Sequence, residues 1–222
     1  MADIYIIAGP PGIGKSTLGK KFIPSHLDIL DQDEVHYRYK EKGEPYYNQH
    51  STIRFEEMLK NKVLRGGDFA LELNLGYEVQ YMQALWLKHF RSENTLNVVL
   101  FFTDNINLCQ DRAMARFKSG RHLVEPKTIQ EMYLNTLPLL KDNFEAIDYL
   151  MLLDVNRFKK ITPVATYIKE QKSFDISDNT PEWFRNDLQL FIQNRIDDDF
   201  LPKLDLGNPY EPDNDRPHGR KR

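Results

Sequence analysis

The sequence has 222 residues, 41% of them hydrophobic, and a formal net charge of −3. That allows one α/β core with an appendage and excludes bulk affinity for nucleic acid or anionic membrane, a local basic groove aside. The single cysteine, Cys109, excludes an intramolecular disulfide, no run nears the ~18 apolar residues of a membrane span, and the opening residues do not read as a signal peptide, so a cytoplasmic protein in a reducing compartment is expected.

Apolar, β-branched runs at 3–8, 27–31, 68–73, 97–103 and 148–154 predict strands. Helical spacings predict helices at 15–22, 33–42, 51–65, 80–92, 105–118 and 127–146, with Gly66-Gly67 ending the third. Strands alternating with helices predict an α/β three-layer sandwich around a mostly parallel five-stranded sheet, with ligands at the carboxyl ends of the strands.

The first strand runs into AGPPGIGKST, residues 8–17. Gly9, four residues, then Gly14-Lys15-Ser16 is the P-loop pattern, G-x-x-x-x-G-K-[ST], in its required context of a strand before and a helix after. Gly9, Gly12 and Gly14 let the backbone turn so that its N–H groups face an anion, and Pro10 and Pro11 stiffen the loop around Ile13. Lys15 would reach the β/γ phosphates, Ser16 would ligate Mg²⁺, and Thr17 would open a helix whose dipole faces the phosphates. A nucleoside triphosphate, ATP or GTP, with Mg²⁺ is therefore expected.

The second strand ends in LDQDEV, residues 30–35. On a strand, Asp31 and Asp33 would point the same way, beside the P-loop. A carboxylate there can hold Mg²⁺ through water or accept a proton from an attacking hydroxyl; the plain alternative is Asp33 as a helix N-cap. The third strand, FALELNLG, puts Glu72 and Asn74 on one face. A Glu within so apolar a strand suits hydrogen bonding to a polyhydroxyl or amide substrate, unless the strand is an edge with Glu72 in water. Farther on, Arg112 and Arg116 stand one helical turn apart and lead into Lys118, Gly120, Arg121 and His122. Such a cationic, Gly-containing segment suits a lid over phosphates, or else a solvated basic face.

Past residue 155, ITPVATYIKEQKSFDI reads as a β-hairpin or a sheet extension, and 180–196 as an amphipathic helix with Thr180 as N-cap and Pro181 at N1. The expected organisation is a core at 1–155, a hairpin and helix packed on it at 156–204, and a poorly ordered tail at 205–222.

Four segments together resemble the zeta-toxin family of P-loop kinases: AGPPGIGKST, LDQDEV, LELNLG, and RAMARFKSGRHLVEPKTIQEMYLNTLPLL, the last being the most family-specific. They lie within residues 3–155. The resemblance implies phosphoryl transfer from ATP or GTP to the hydroxyl of a small molecule, in the toxins a UDP-N-acetylhexosamine. It implies that Lys15 and Ser16 are phosphate and Mg²⁺ ligands, Asp33 the carboxylate that activates the acceptor, Glu72 and Glu56 acceptor ligands, and Arg116 and Arg121 lid arginines, with Arg112 a weaker match. A toxic variant of this reading would carry an antitoxin-like protein partner. The sequence departs from the pattern at Arg121, where the family's Gly-Gly-His has its second Gly, at Met132 in place of Arg, and at Asn74 in place of Thr. Two rivals stand beside it: an ATP-hydrolysing switch that signals to a protein partner, and a polynucleotide 5′-hydroxyl kinase, against which the acidic net charge counts.

Overall fold

The run DIYIIA forms β1 (Asp3–Ala8), the middle of a mixed sheet, in a computed structural model that describes residues 1–157 and 160–198. The remaining strands are β2 (Ile29–Leu30), β3 (Phe69–Glu72), β4 (Thr95–Phe102), β5 (Tyr149–Arg157), β6 (Lys160–Ile168) and β7 (Ser173–Ile176), in the spatial order β2-β3-β1-β4-β5-β6-β7. The first five run parallel, and β6 and β7 are antiparallel additions beyond β5. Both faces of the parallel part are covered, which is why β1 and β4 are continuous apolar runs rather than alternating ones.

Successive residues send side chains to opposite faces. Ile6 and Val98 join one apolar cluster, Ile7 and Val99 another. The first cluster takes in α3 (Tyr47–Arg65), α4 (Glu78–His89), Leu137 and Leu140 of α6 (Pro126–Asp142), and the C-terminal helices α7 (Glu182–Asp187) and α8 (Gln189–Asp198). The second lies under α1 (Lys15–Leu18) and α5 (Ile106–Lys118). The remaining helix, α2 (Gln32–Glu41), has no buried residue and borders the site described below. None of these helices is long and apolar enough to cross a membrane, among the described residues.

Several boundaries differ from expectation. The helix expected at 15–22 is α1 followed by a 3₁₀ turn at Gly19–Phe22, and that expected at 127–146 ends at Asp142 before a 3₁₀ turn at Phe144–Ala146. Helix α3 begins at Tyr47, four residues ahead of the expected 51. The C-terminal helix is two helices, α7 and α8, broken at Leu188, and Pro181 occupies the cap position in place of Thr180. The sheet has seven strands because the hairpin extends it rather than packing beside it: β5 runs across the expected division at 155/156 and its outer edge pairs with β6. An open parallel edge leaves a row of unpaired backbone groups, and the hairpin satisfies them. The tail expected at 205–222 lies outside the described residues.

Candidate active site

The phosphate loop is held from behind by the end of β4 and by α5. A Cβ on Gly9 (φ +130°) would sit 2.2 Å from the Phe101 carbonyl oxygen, and one on Gly12 (φ +81°) 2.1 Å from that of Cys109. Only glycine permits both the dihedral and the approach. Arg112 Nη1 donates to the Ile13 carbonyl at 2.9 Å, tying α5 to the loop.

Lys15 opens α1 and is buried, with 4% of its surface exposed. Its ammonium donates to the Gly9 carbonyl at 2.8 Å, the Pro10 carbonyl at 3.2 Å and Asn74 Oδ1 at 2.7 Å, and lies 3.6 Å from Glu72 Oε1. Burial pulls the Lys15 pKa down, and the Glu72 carboxylate, with Asp33 and Asp31, draws it back up. Burial pushes the Glu72 carboxyl up, with Lys15 opposing. Glu72 Oε2 is buried without a hydrogen-bond partner among the described residues. The shared face expected for Glu72 and Asn74 is therefore present, and what both meet there is Lys15.

Two cavities meet at this loop. One, about 260 Å³, is lined by Pro11, Lys15, Asp33, Glu72, Asn74 and a wall of His36, Tyr37, Lys40, Tyr47 and His122. The other, about 450 Å³, is lined by Gly14, Ser16, Thr17, Asp31, Glu34 and Arg112. Gly12, Arg116 and Arg121 line both. Gly9, Pro10 and Ile13 line neither; their carbonyls receive Lys15 and Arg112.

The two aspartates do not point together. Strand β2 ends at Leu30, and Asp31 caps α2, its Oδ1 accepting from the backbone N–H of Asp33 at 2.9 Å and of Glu34 at 3.3 Å. Asp33 is already in the first helical turn. The side-chain period changes from two residues to 3.6 between them, so Asp31 lines the cavity holding Ser16 and Asp33 the other. Burial and the neighbouring Asp33 push the Asp31 carboxyl up.

The arginines come to the junction in different ways. Arg116 lines both cavities from α5. Arg121 follows the turn at Gly120 (φ +90°), pairs with Glu34 Oε2 at 2.7 Å and lies 3.9 Å over the Tyr37 ring. Glu56 stands exposed on α3 and lines neither cavity. The sequence reading passed over the α2 residues His36, Tyr37 and Lys40, which line the first cavity with Asp33. Their signal was available: 33, 36/37 and 40 share one helical face.

No family model matches the chain, and no curated protein matches it. Solved structures do. A chain of the crystal structure of AvrRxo1-ORF1:AvrRxo1-ORF2 with sulphate ions matches at a TM-score of 0.63 and 10% identity, over 84% of this chain and 63% of that one. This chain thus spans less than two thirds of that neighbour. The same complex with ATP matches at a TM-score of 0.62 and 9% identity, over 80% and 61%. A structure from the PezAT chromosomal toxin–antitoxin system of Streptococcus pneumoniae matches at 0.57 and 16%, over 88% and 87%. At such identities the likeness is one of fold. The chain shares with them an α/β fold built on a mostly parallel sheet, as its motifs imply.

Proposed function

We propose that this protein is a P-loop kinase that transfers the γ-phosphoryl group of ATP or GTP to a hydroxyl of a small molecule, with a UDP-N-acetylhexosamine as the first acceptor to try. The observation that carries the reading is the pair of cavities meeting at Gly12, Arg116 and Arg121, each with its own aspartate. A hydrolytic switch needs room for a nucleotide and a water. A kinase needs a second chamber with a carboxylate beside the acceptor hydroxyl, and Asp33 lines such a chamber.

In this reading the nucleotide occupies the Ser16 side. Lys15 leaves the carbonyls of Gly9 and Pro10 and the Asn74 amide for the β/γ phosphates, exchanging three neutral acceptors for charged ones. Ser16 and Asp31 are hard oxygen donors lining one cavity, a set that fits Mg²⁺, and the ion would neutralise charge across the β- and γ-oxygens. The acceptor hydroxyl gives its proton to Asp33 as its oxygen bonds to the γ-phosphorus, while the bond to the β-phosphate bridging oxygen breaks and the nucleoside diphosphate leaves. If the transition state is loose, Asp33 chiefly orients that hydroxyl. Arg116 and Arg121 face the charge spread over the transferred oxygens.

The test is transfer of label from γ-labelled ATP with Mg²⁺ into a pool of UDP-sugars, wild type beside Asp33→Ala. The expected result is a labelled acceptor in wild type, a loss of about 10²–10⁴-fold in the mutant, and unchanged ATP binding. Label released only as free phosphate, equally from both, would leave the hydrolytic switch or an acceptor outside the pool, and a metabolite-extract screen that yields no labelled product would overturn the reading in favour of the switch. A toxin held by a neutralising partner is a variant of the proposal, prompted by the toxin–antitoxin neighbour; growth arrest on expression tests it.

A further inference from the structure

We propose that Glu34 and Tyr37 are positioning residues that latch Arg121, and with it the loop 119–124, onto α2 before nucleotide arrives. Glu34 sits in the first turn of α2. Arg38 Nε, one turn on, donates to Glu34 Oε1 at 3.0 Å, which orients the carboxylate and leaves Oε2 to accept from Arg121 Nη1 at 2.7 Å. The guanidinium lies 3.9 Å over the ring of Tyr37. Glu34 and Tyr37 are three residues apart, so a helix presents them side by side, and a planar cation fits across both. His122 adds a ring contact with His36 at 6.1 Å.

Arg121 stands where the resembling motif has glycine. Its pairing with Glu34 has a consequence for the site. Asp33 immediately precedes Glu34 on the same rigid turn, so a latched Arg121 is held at a set position relative to Asp33, on the wall shared by the two cavities. Arginine has five N–H donors; those not spent on Glu34 are free to meet the transferred phosphoryl group without a search of side-chain conformations. The latch is also weak enough to open. Arg121 and Glu34 are about one third exposed (32% and 35%), and an ion pair so placed adds little by itself. The Arg121–Glu34 interaction holds the Glu34 carboxyl below its usual range, so the pair stays charged at neutral pH.

The proposal extends the kinase reading above, and its test separates the two. Hydrogen exchange of the amides of Ser119, Gly120 and Arg121, which donate to carbonyls of α5, is followed in nucleotide-free protein. Glu34→Gln and Arg121→Ala are each expected to speed exchange about 3- to 10-fold, and Glu34→Gln/Arg121→Ala no more than Arg121→Ala alone, which also loses the Tyr37 contact. Unchanged exchange in a single variant, or additive effects in the double, would overturn the latch. In the transfer assay Glu34→Gln is expected to lower kcat with little change in nucleotide Kd, and to cost nothing further in the Arg121→Ala background. An equal loss in both backgrounds would overturn the positioning role. If wild type transfers phosphoryl to no acceptor, the kinase reading fails while the exchange data still decide the latch.

Discussion

Two ends of the sheet each bury a carboxylate, and they treat it differently. At the phosphate-loop end, Glu72 has Lys15 3.6 Å from one oxygen and no partner for the other among the described residues. Toward the antiparallel extension, Asp154 on β5 has both oxygens engaged: Oδ1 accepts from Trp183 Nε1 at 2.9 Å and Oδ2 from the Asn156 amide. Asn156 is in turn bonded by Thr103 at 3.1 Å, and Asp104 accepts from the Trp183 backbone N–H at 2.9 Å. Burial raises both carboxyls. A satisfied buried network fastens one part of a chain to another, whereas a half-satisfied one costs stability and is kept where something else must bind. On this contrast the Asp154 network fastens α7, and Glu72 is the carboxylate left half-satisfied beside the phosphate loop.

The sharpest test of the fastening end is Trp183→Ala. Trp183 is buried against Phe102 at a ring distance of 5.3 Å. Its removal is expected to cost about 3–5 kcal/mol in denaturant unfolding, with nucleotide affinity retained at temperatures where the variant is folded. Affinity falling in step with stability would merge the two ends into one unit. Next in size is Gly12→Ala. The added methyl meets the Cys109 carbonyl at 2.1 Å with φ at +81°, a dihedral strain of about 1–3 kcal/mol before the clash is relieved. Nucleotide binding, read by calorimetry, should weaken about 100-fold; wild-type affinity would mean that the loop does not hold phosphate.

Smaller still is Glu72→Gln. If Glu72 binds the acceptor, as the family resemblance implies, losing its charge is expected to raise the acceptor KM about tenfold and to leave nucleotide Kd equal or lower, because Lys15 is held less firmly. A rise in nucleotide Kd alone would make Glu72 a partner of Lys15 and nothing more. Last comes Asp154→Asn, which keeps an oxygen for Trp183, removes the buried charge and, with the Asn156 amide flipped, lets Asn156 accept from the new N–H and donate to Thr103. Because the folded-state pKa is raised, Asp154 favours the fold most when protonated, and that contribution is lost as pH climbs from the ordinary carboxylate value through the raised one. The variant should match or exceed wild-type stability at pH 7 by under about 1 kcal/mol, with a flatter pH profile below. A clear loss at pH 7 would give the ionised carboxylate a role beyond accepting hydrogen bonds.

The parallel strands and most helices were legible because their signals are local: apolar runs buried on both faces, helical spacing, a glycine pair ending α3. The phosphate loop was legible for the same reason. What misled was the junction at Asp31 and Asp33, where a strand of two residues gives way to a helix and period-two reasoning fails between them. Helix α2 has no fully buried residue, so its face of Asp33, His36, Tyr37 and Lys40 looked like any solvated polar face. Glu56 had the right residue type near the right motif, and stands exposed. The C-terminal segment read as a hairpin or a sheet extension, and it is both; that it joins the sheet depends on the free edge of β5, which the segment's own pattern does not specify.

The sequence alone determined the loop that turns on Gly9, Gly12 and Gly14, because positive φ is a property of single residues and their nearest neighbours. It also determined the layered α/β plan, because burial on both faces leaves its mark in the central parallel strands. Tertiary structure decided which side chains meet. Lys15 finds Asn74 across 59 residues of chain, and Arg121 finds Glu34 across 87. Those contacts make the shared wall between the two cavities, and no local pattern specifies them, because they arise only when α1, α2, β3 and the segment after α5 are packed around one strand end.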